Sequence, residues 1–466
     1  VHLQPADSVN FTLSQILAAP ESPVRAILRK YRLQLGLAAA WLFIIAAGHW
    51  MGVLWDIDEG TLDWRMAYTS HIAPDNHLAL IEIDELPPNR PWPWSRLEFS
   101  LLLDRGSLMR YGPRSVVIEP VLAGPDPSPR EDSRLAEKLH LYERHVLAAA
   151  LVPRDNVETP APAGATPIPT RGSLAAVPRF GAAYWPYEEI ATRAAIGAAN
   201  LLPQGEGVTR WLPLIFVFRD QVVPSLALQA AAAQLGADLS KSEAVPGYAI
   251  TLRDAAGKRL RVIPIDDEGR MRVRFHPKRG AAWTDSFAQF LVYQTDTGNE
   301  FKPKHDLRLL RGRQVWVGRT DPDATPVRTI AGDLAPVRLA MAGTLNIVEG
   351  DLIQQLSTPL LTTLYAIISA LVIAAFYRLG IVQALVFISI ASASWLELSV
   401  VLFRAWSLSL PVLGYLIFAG GLVVWCAVAT FGPRPVVRSG SAPATGTEPI
   451  TPKRFTPRKG TRPANR

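Results

Sequence analysis

Four apolar runs, one early and three late, limit what this chain can fold into more than any other feature. Leu33 to Leu54, "LQLGLAAAWLFIIAAGHWMGVL", is apolar except for Gln34 and His49, and it meets the length of about 20 residues that a helix needs to cross a bilayer. Leu360 to Tyr377, Ile381 to Phe403 and Leu408 to Phe431 are three more. Backbone amides in hydrocarbon must find partners within their own segment, so each run is predicted to be a spanning helix. The roughly 300 residues between the first and second runs have ordinary globular composition and are numerous enough to bury a core without staples.

Charge sets the expected orientation. Arg25, Arg29, Lys30 and Arg32 precede the first run, whereas Asp56, Asp58, Glu59 and Asp63 follow it, and basic residues near span ends stay cytoplasmic. The plan this predicts is a cytoplasmic segment 1–32, a span 33–54, an outer domain 55–356, spans 360–377, 381–403 and 408–431, and a cytoplasmic tail 432–466. The tail is basic and proline-rich, with too few apolar residues to fold, so it is expected to be disordered. Its eight Lys and Arg against Glu448 give +7, the net charge of the whole chain. The outer domain is therefore close to neutral, and bulk charge excludes nucleic acid as its partner. Anionic lipid is a candidate partner of the tail. The single cysteine, Cys426, lies in the last run, leaving the outer domain no thiol for a disulfide. For the first run an uncleaved anchor is expected over a signal peptide cut near Ala46 to Gly48, because 32 residues precede it and it outlasts the ~7–15 apolar residues of a signal core.

Within the outer domain, "LALIEID" from Leu78 is short, rich in branched residues and stopped by Pro87 and Pro88, which predicts a buried strand. "WSRLEFSLLLDRGSLMRYG" has apolar residues at helical spacing, a capping box at Ser95 and Glu98, and Gly112 and Pro113 at its end; it is expected to be one helix. "SVVIEPVL" from Ser115 is a second strand, and "DSRLAEKLHLY" with "HVLAAALV" repeats the pattern. Strand, helix and strand in succession predict parallel strands with right-handed crossovers. The expected fold is α/β, a three-layer Rossmann-like domain with an added β-rich half, plus four transmembrane helices. In that half, "AAIGAANLLP" and "WLPLIFVF" suggest a hairpin, "TLRDAAGKRLRVIPIDDEGRMRVRF" another pair, and "PSLALQAAAAQLG" a helix. Val152 to Ala182 is proline- and alanine-rich without periodicity, which reads as a surface loop. The tryptophans of "RPWPWSR", Trp92 and Trp94 around Pro93, are expected to fold back as an apolar lid over the helix start.

Taken in order, "IEID" running into "WPWSR", then "VVIEPVL", "IGAANLLPQGEGVTRWLPL", "PSLALQA", "IPIDDEGRMRVRF", "DSF", "RGRQVWVGRTD" with Gly318, and "AGTLNIVEG" resemble the type-two CHASE domain, an extracellular sensor module of bacterial cyclases and histidine kinases. The likeness covers Trp55 to Leu356, and one span before with three after is the family's usual arrangement. It departs from the family's pattern at Glu119 and near Gln204, where an aspartate is common. The resemblance implies a multi-pass protein of a bacterial inner membrane with the large domain in the periplasm and both termini in the cytoplasm. Such proteins commonly continue into an output domain, whereas 35 residues follow the last run here.

Ligands of open parallel sheets favour the crevice beyond the C-terminal strand ends. That edge is predicted to collect Asp84, Glu85, Glu119, Arg319, Asp321 and Asp323, with Arg96 in the first turn of the helix. Such a set could take a cation, or a small anion through its arginines; equally, these are loop residues paired with one another or solvated. No HExxH, GxSxG elbow, phosphate-cradling glycine loop or kinase signature occurs, and the eight histidines are scattered. No enzyme activity, cofactor or metal is therefore expected. Glu397 is the one carboxylate within a predicted span, and Arg404 seven residues on shares its helix face. Their pairing near the interface is expected, with an ion relay as the alternative.

These readings converge on a non-catalytic membrane sensor whose periplasmic domain senses a small molecule or a protein and signals to a separate effector, a kinase, cyclase or phosphatase. The alternative is a structural or assembly platform for an envelope complex. A homodimer is compatible with either.

Overall fold

A computed structural model describes residues 23–69, 77–86, 92–104, 108–153, 164–202, 207–276, 283–288 and 306–431. The tail 432–466, Pro87 and Pro88, and the turn around Gln204 lie outside them. Helix α1 (Pro23–Trp50) is followed by the short α2 (Val53–Ile57) and α3 (Glu59–Tyr68). The domain then builds β1 (Leu78–Ile83), α4 (Arg96–Leu102), β2 (Ser115–Ile118), α5 (Pro129–Leu139), β3 (His145–Val152), β4 (Ala195–Ala198), α6 (Leu226–Leu235), β5 (Trp283–Ser286), β6 (Gln314–Arg319) and α7 (Pro336–Glu349). It returns to the membrane as α8 (Thr358–Leu379), α9 (Ile381–Trp406) and α10 (Val412–Phe431). With α1, these are the four helices long and apolar enough to span a bilayer.

The strands lie in the order β5-β1-β6-β2-β3-β4, all parallel, and Ala182–Tyr184 adds an antiparallel piece to the end of β3. Strand alternation sends successive side chains to opposite faces. Leu78, Leu80, Val117, Val146 and Trp316 therefore meet α6 and α7 in one core, while Ala79, Ile81, Val116, Leu147 and Val317 meet α4 and α5 in another. That makes three layers. Runs such as "LALIEI" are apolar throughout because both faces are covered.

Two glycines let the α6–α7 layer sit close to the sheet. A Cβ on Gly318 of β6 would lie 2.3 Å from Val337 Cγ2 in the first turn of α7, and one on Gly197 of β4 would lie 2.6 Å from Leu226 Cα at the start of α6. Only a residue without a side chain fits at either place.

Several local expectations are corrected. The predicted long helix after "WPW" is α4, which ends at Leu102, with a separate 3-10 turn at Leu108–Tyr111. Ser95 Oγ accepts the Leu97 amide at 3.2 Å, but Glu98 leaves Oε2 buried without a partner, so only the serine half of the capping box forms. "AAIGAANLLP" is no hairpin arm: it is the edge strand β4, because residues 195–198 register against Val146–Ala149. The hairpin that does form joins Ile215–Phe218 to Gln221–Pro224. Ala249–Arg253 pairs with Arg259–Pro264 as expected, but Arg270–Arg272 pairs with Trp211–Pro213. The described part of the proline-rich stretch is largely exposed, as expected of a surface loop, and is anchored to the core by Ile168 and Val177, each 2% exposed.

The membrane helices share one core. Polar tips are satisfied by backbone: Trp41 Nε1 donates to Phe418 O at 3.1 Å and Trp425 Nε1 to Gln34 O at 2.7 Å. Trp41 fills the space above Gly421, where a Cβ would clash with its ring, whereas Gly420 faces open space. Leu408 and Ser409 pair with Gln354–Gln355, so the last helix starts at Val412. Glu397 and Arg404 are both exposed on α9 and form no ion pair among the described residues. Seven residues rise about 10 Å along a helix, too far for the pairing expected from their shared face.

Candidate functional site

The C-terminal ends of β1 and β6 open into a cleft of about 560 Å³. Its walls come from the residues just past each strand, Asp84 on one side and Thr320 and Asp321 on the other, and from Arg338 in the first turn of α7. The amides of Thr320 and Asp321 both donate to Ile83 O, at 3.0 and 3.1 Å, and hold the two strand ends together. Asp84 Oδ1 accepts the Ser286 hydroxyl at 2.7 Å, which ties in β5. Glu82, next to last in β1, is ion-paired with Arg338.

Arg319 is spent on holding this edge. Its Nε and NH2 donate to the two oxygens of Asp321 at 2.8 and 2.7 Å, a bidentate fork that adds geometric as well as electrostatic specificity. The hydrogen bond and charge of Arg319 hold the Asp321 carboxyl below its usual range. The guanidinium also lies over Trp92, 4.9 Å from the ring centre. Glu119 accepts the Arg319 amide at 3.3 Å, and burial pushes its carboxyl up against the opposing pull of Arg319.

The residues predicted from sequence therefore separate. Asp84 and Asp321 line the cleft; Glu119 and Arg319 stand one contact removed and orient Asp321. Asp323 donates its amide to Asp321 Oδ1 at 3.1 Å, and Glu85 is exposed outside the lining. Arg96 is turned elsewhere, with its amide on Asp126 Oδ2 at 2.8 Å, its Nε 3.5 Å from Asp132 Oδ1 and its NH2 on Gly124 O at 3.0 Å. It latches the segment after β2 to the start of α4. Trp94 packs on Phe287 with ring centres 5.0 Å apart, inside the α4–α5 core. The tryptophan pair is thus half core and half Arg319 platform. Glu82, Thr320, Asp333 and Arg338 were missed, because lone polar residues near a strand end, in loops and in a first helical turn carry no periodic signal.

The far end of α7 is as specific as its start. Gly350, at φ 79°, ends the helix, and Asp351 follows. Its carboxylate takes Arg274, His276 Nε2 at 2.7 Å and the Ser407 hydroxyl at 2.6 Å. Burial opposes ionisation there, yet the His276 hydrogen bond and Arg274 together hold the carboxyl well below its usual range. Ser407 lies in the turn between α9 and α10, and Arg274 is stacked over Phe403 of α9 at 4.7 Å. Nearby, Asp58 Oδ1 accepts the amides of Val412 and Leu413, each at 2.8 Å, at the N-terminus of α10. Asp58 is also ion-paired with the fully buried Arg65 at 3.0 Å. Arg65 donates in turn to Leu410 O at 2.8 Å.

An α/β domain carried between membrane helices, with a strand-end cleft and a helix running from that cleft to the bundle, defines a membrane-anchored α/β module. A family model described as the CHASE2 domain matches residues 37–382, and the chain belongs to that family of sensor domains. With four apolar helices it is a multi-pass membrane protein. No curated protein and no solved structure matches the chain.

Proposed function

We propose that the protein is a non-catalytic receptor of a bacterial inner membrane. Its domain faces the periplasm, binds a small polar molecule in the strand-end cleft, and passes the signal through the four helices to a cytoplasmic effector such as a kinase, cyclase or phosphatase. The observation that carries this reading is the placement of α7. Arg338 in its first turn forms part of the cleft wall, and Asp351 just past its end is bound to the turn between two membrane helices. Its 14 residues make a rigid link of about 21 Å. A ligand that competes for Glu82 or Arg338 shifts one end of the link, and the Asp351 contacts carry that shift to the bundle. The cleft is within the usual range for small-ligand sites of about 300–1,000 Å³. Its carboxylates favour a ligand with ammonium or hydroxyl donors.

The test is a thermal-shift screen of the full chain in nanodiscs against amino acids, polyamines and sugars. Stabilisation by a compound that is lost in both Asp84→Asn and Arg338→Ala supports the reading. Stabilisation that persists in both variants moves the ligand elsewhere. A stoichiometric envelope complex with no response to any compound replaces the receptor with an assembly platform.

A further inference from the structure

A second cleft, of about 620 Å³, lies where the domain meets the membrane helices. Tyr248, Val262, Ile265 and Asp267 form part of its domain wall, and Trp55, Ile353, Leu356 and Thr358 part of its membrane wall. The depth of this cleft is set by the bundle. Trp55 and Leu356 belong to the apolar core shared by the four helices, and Thr358 is the first residue of α8. Leu360, two residues on, is 49% exposed. The cleft therefore opens at the level where the bundle leaves hydrocarbon, and its exposed Tyr248 and buried Trp55 are the amphipathic aromatic types that favour this interface.

The polar groups narrow the occupant. Arg272, also on the domain wall, is ion-paired with Glu59 at 3.1 Å, and Asp266 with Arg270 at 2.8 Å. Asp267 is exposed and forms no ion pair among the described residues. Arg272 Nε is buried without a hydrogen-bond partner. A headgroup of net negative charge would meet Asp266 and Asp267, with the Arg272 guanidinium already neutralised by Glu59. A headgroup carrying both an ammonium and a phosphate instead offers a cation to Asp267 and an acceptor to the Arg272 side, while its chains leave along Trp55 and Leu356.

We propose that this cleft holds the headgroup of a zwitterionic, ammonium-bearing phospholipid drawn from the leaflet that faces the domain. Because its two walls belong to the domain and to the bundle, the bound lipid is a wedge in the joint between them. The site does not depend on the strand-end cleft or on any ligand there.

The test places the full chain in nanodiscs containing either phosphatidylethanolamine or phosphatidylglycerol that carries a photoreactive group near the headgroup, and maps labelled peptides by mass spectrometry. Labelling of residues 247–267 and 353–358 is expected with the ethanolamine lipid. It should fall about tenfold in Val262→Trp, which fills the cleft, and in Asp267→Asn, which removes only a surface charge. Labelling of the lipid-facing side of α9 should stay unchanged in both and reports correct insertion. Equal cleft labelling in the native chain and both variants overturns the proposal, as does labelling by the glycerol lipid that matches the ethanolamine lipid.

Discussion

Asp351 Oδ1 accepts the Ser407 hydroxyl at 2.6 Å, so the end of the domain's last helix is fastened to the turn between the third and fourth membrane helices. Arg274 donates to both of these residues, and its side chain is only 2% exposed. The joint is therefore a buried, charged one.

Asp351→Ala leaves Arg274 buried without its counter-charge, an arrangement that costs about 3–5 kcal/mol. Equilibrium unfolding in mixed micelles should show a loss of that size. Ser407→Ala should lose about 1–2 kcal/mol. The double variant should be less destabilised than the sum, since the two share one network; strict additivity would show that they act separately.

The acid response follows from the same carboxylate, which faces Arg274, His276 and Ser407. Asp351 is held below its usual range when folded, so its contribution is fully present above the unfolded value of about 3.9 and is lost as pH falls through the lower folded value. Hydrogen exchange around residues 346–353 should stay slow at mildly acidic pH and quicken only below about pH 4. In Asp351→Asn that acid-dependent step should shrink.

Asp58→Ala removes the acceptor of two amides at the start of α10 and strands Arg65, whose side chain is fully buried. Burial already pushes Asp58 up and Arg65 down, and their mutual attraction together with the hydrogen bonds to Asp58 opposes that desolvation. A loss of about 3–5 kcal/mol is expected. Asp58→Asn, which retains one acceptor for the amides, should lose less.

Gly318→Ala places a methyl group 2.7 Å from Val337 Cβ. Valine is stiff at χ1 and cannot swing away, so α7 must shift from the sheet at a cost of about 1–3 kcal/mol. Val337→Ala in the same chain should recover part of the loss in an unfolding measurement.

Much of this architecture was legible because it is local. The four spans are long, predominantly apolar runs, β1, β2 and β3 are short apolar runs bounded by turn residues, and the Ser225 cap of α6 stands directly before its apolar stretch, with Oγ accepting the Leu228 amide at 3.2 Å. Their order along the chain also carries the family. The predicted site was legible only as an edge. The strand ends do bring Asp84 and Asp321 to one cleft, but Arg96, in the first turn of the helix that follows β1, is drawn off by Asp126 and Asp132.

What the sequence by itself determined are the elements whose stability comes from their own periodicity: membrane helices that satisfy their backbone internally, buried strands and capped helices. Tertiary structure alone decided the pairings that bind those elements to each other. Ser286 reaches Asp84 across 202 residues, Ser407 reaches Asp351 across 56, and Val412 reaches Asp58 across 354. A lone Asp or Arg in a loop has no periodic partner to announce its role. Whether it lines a cleft, latches a loop or clamps a membrane helix is set by which distant charge the fold brings within about 3 Å of it, where removal from water makes pairing obligatory.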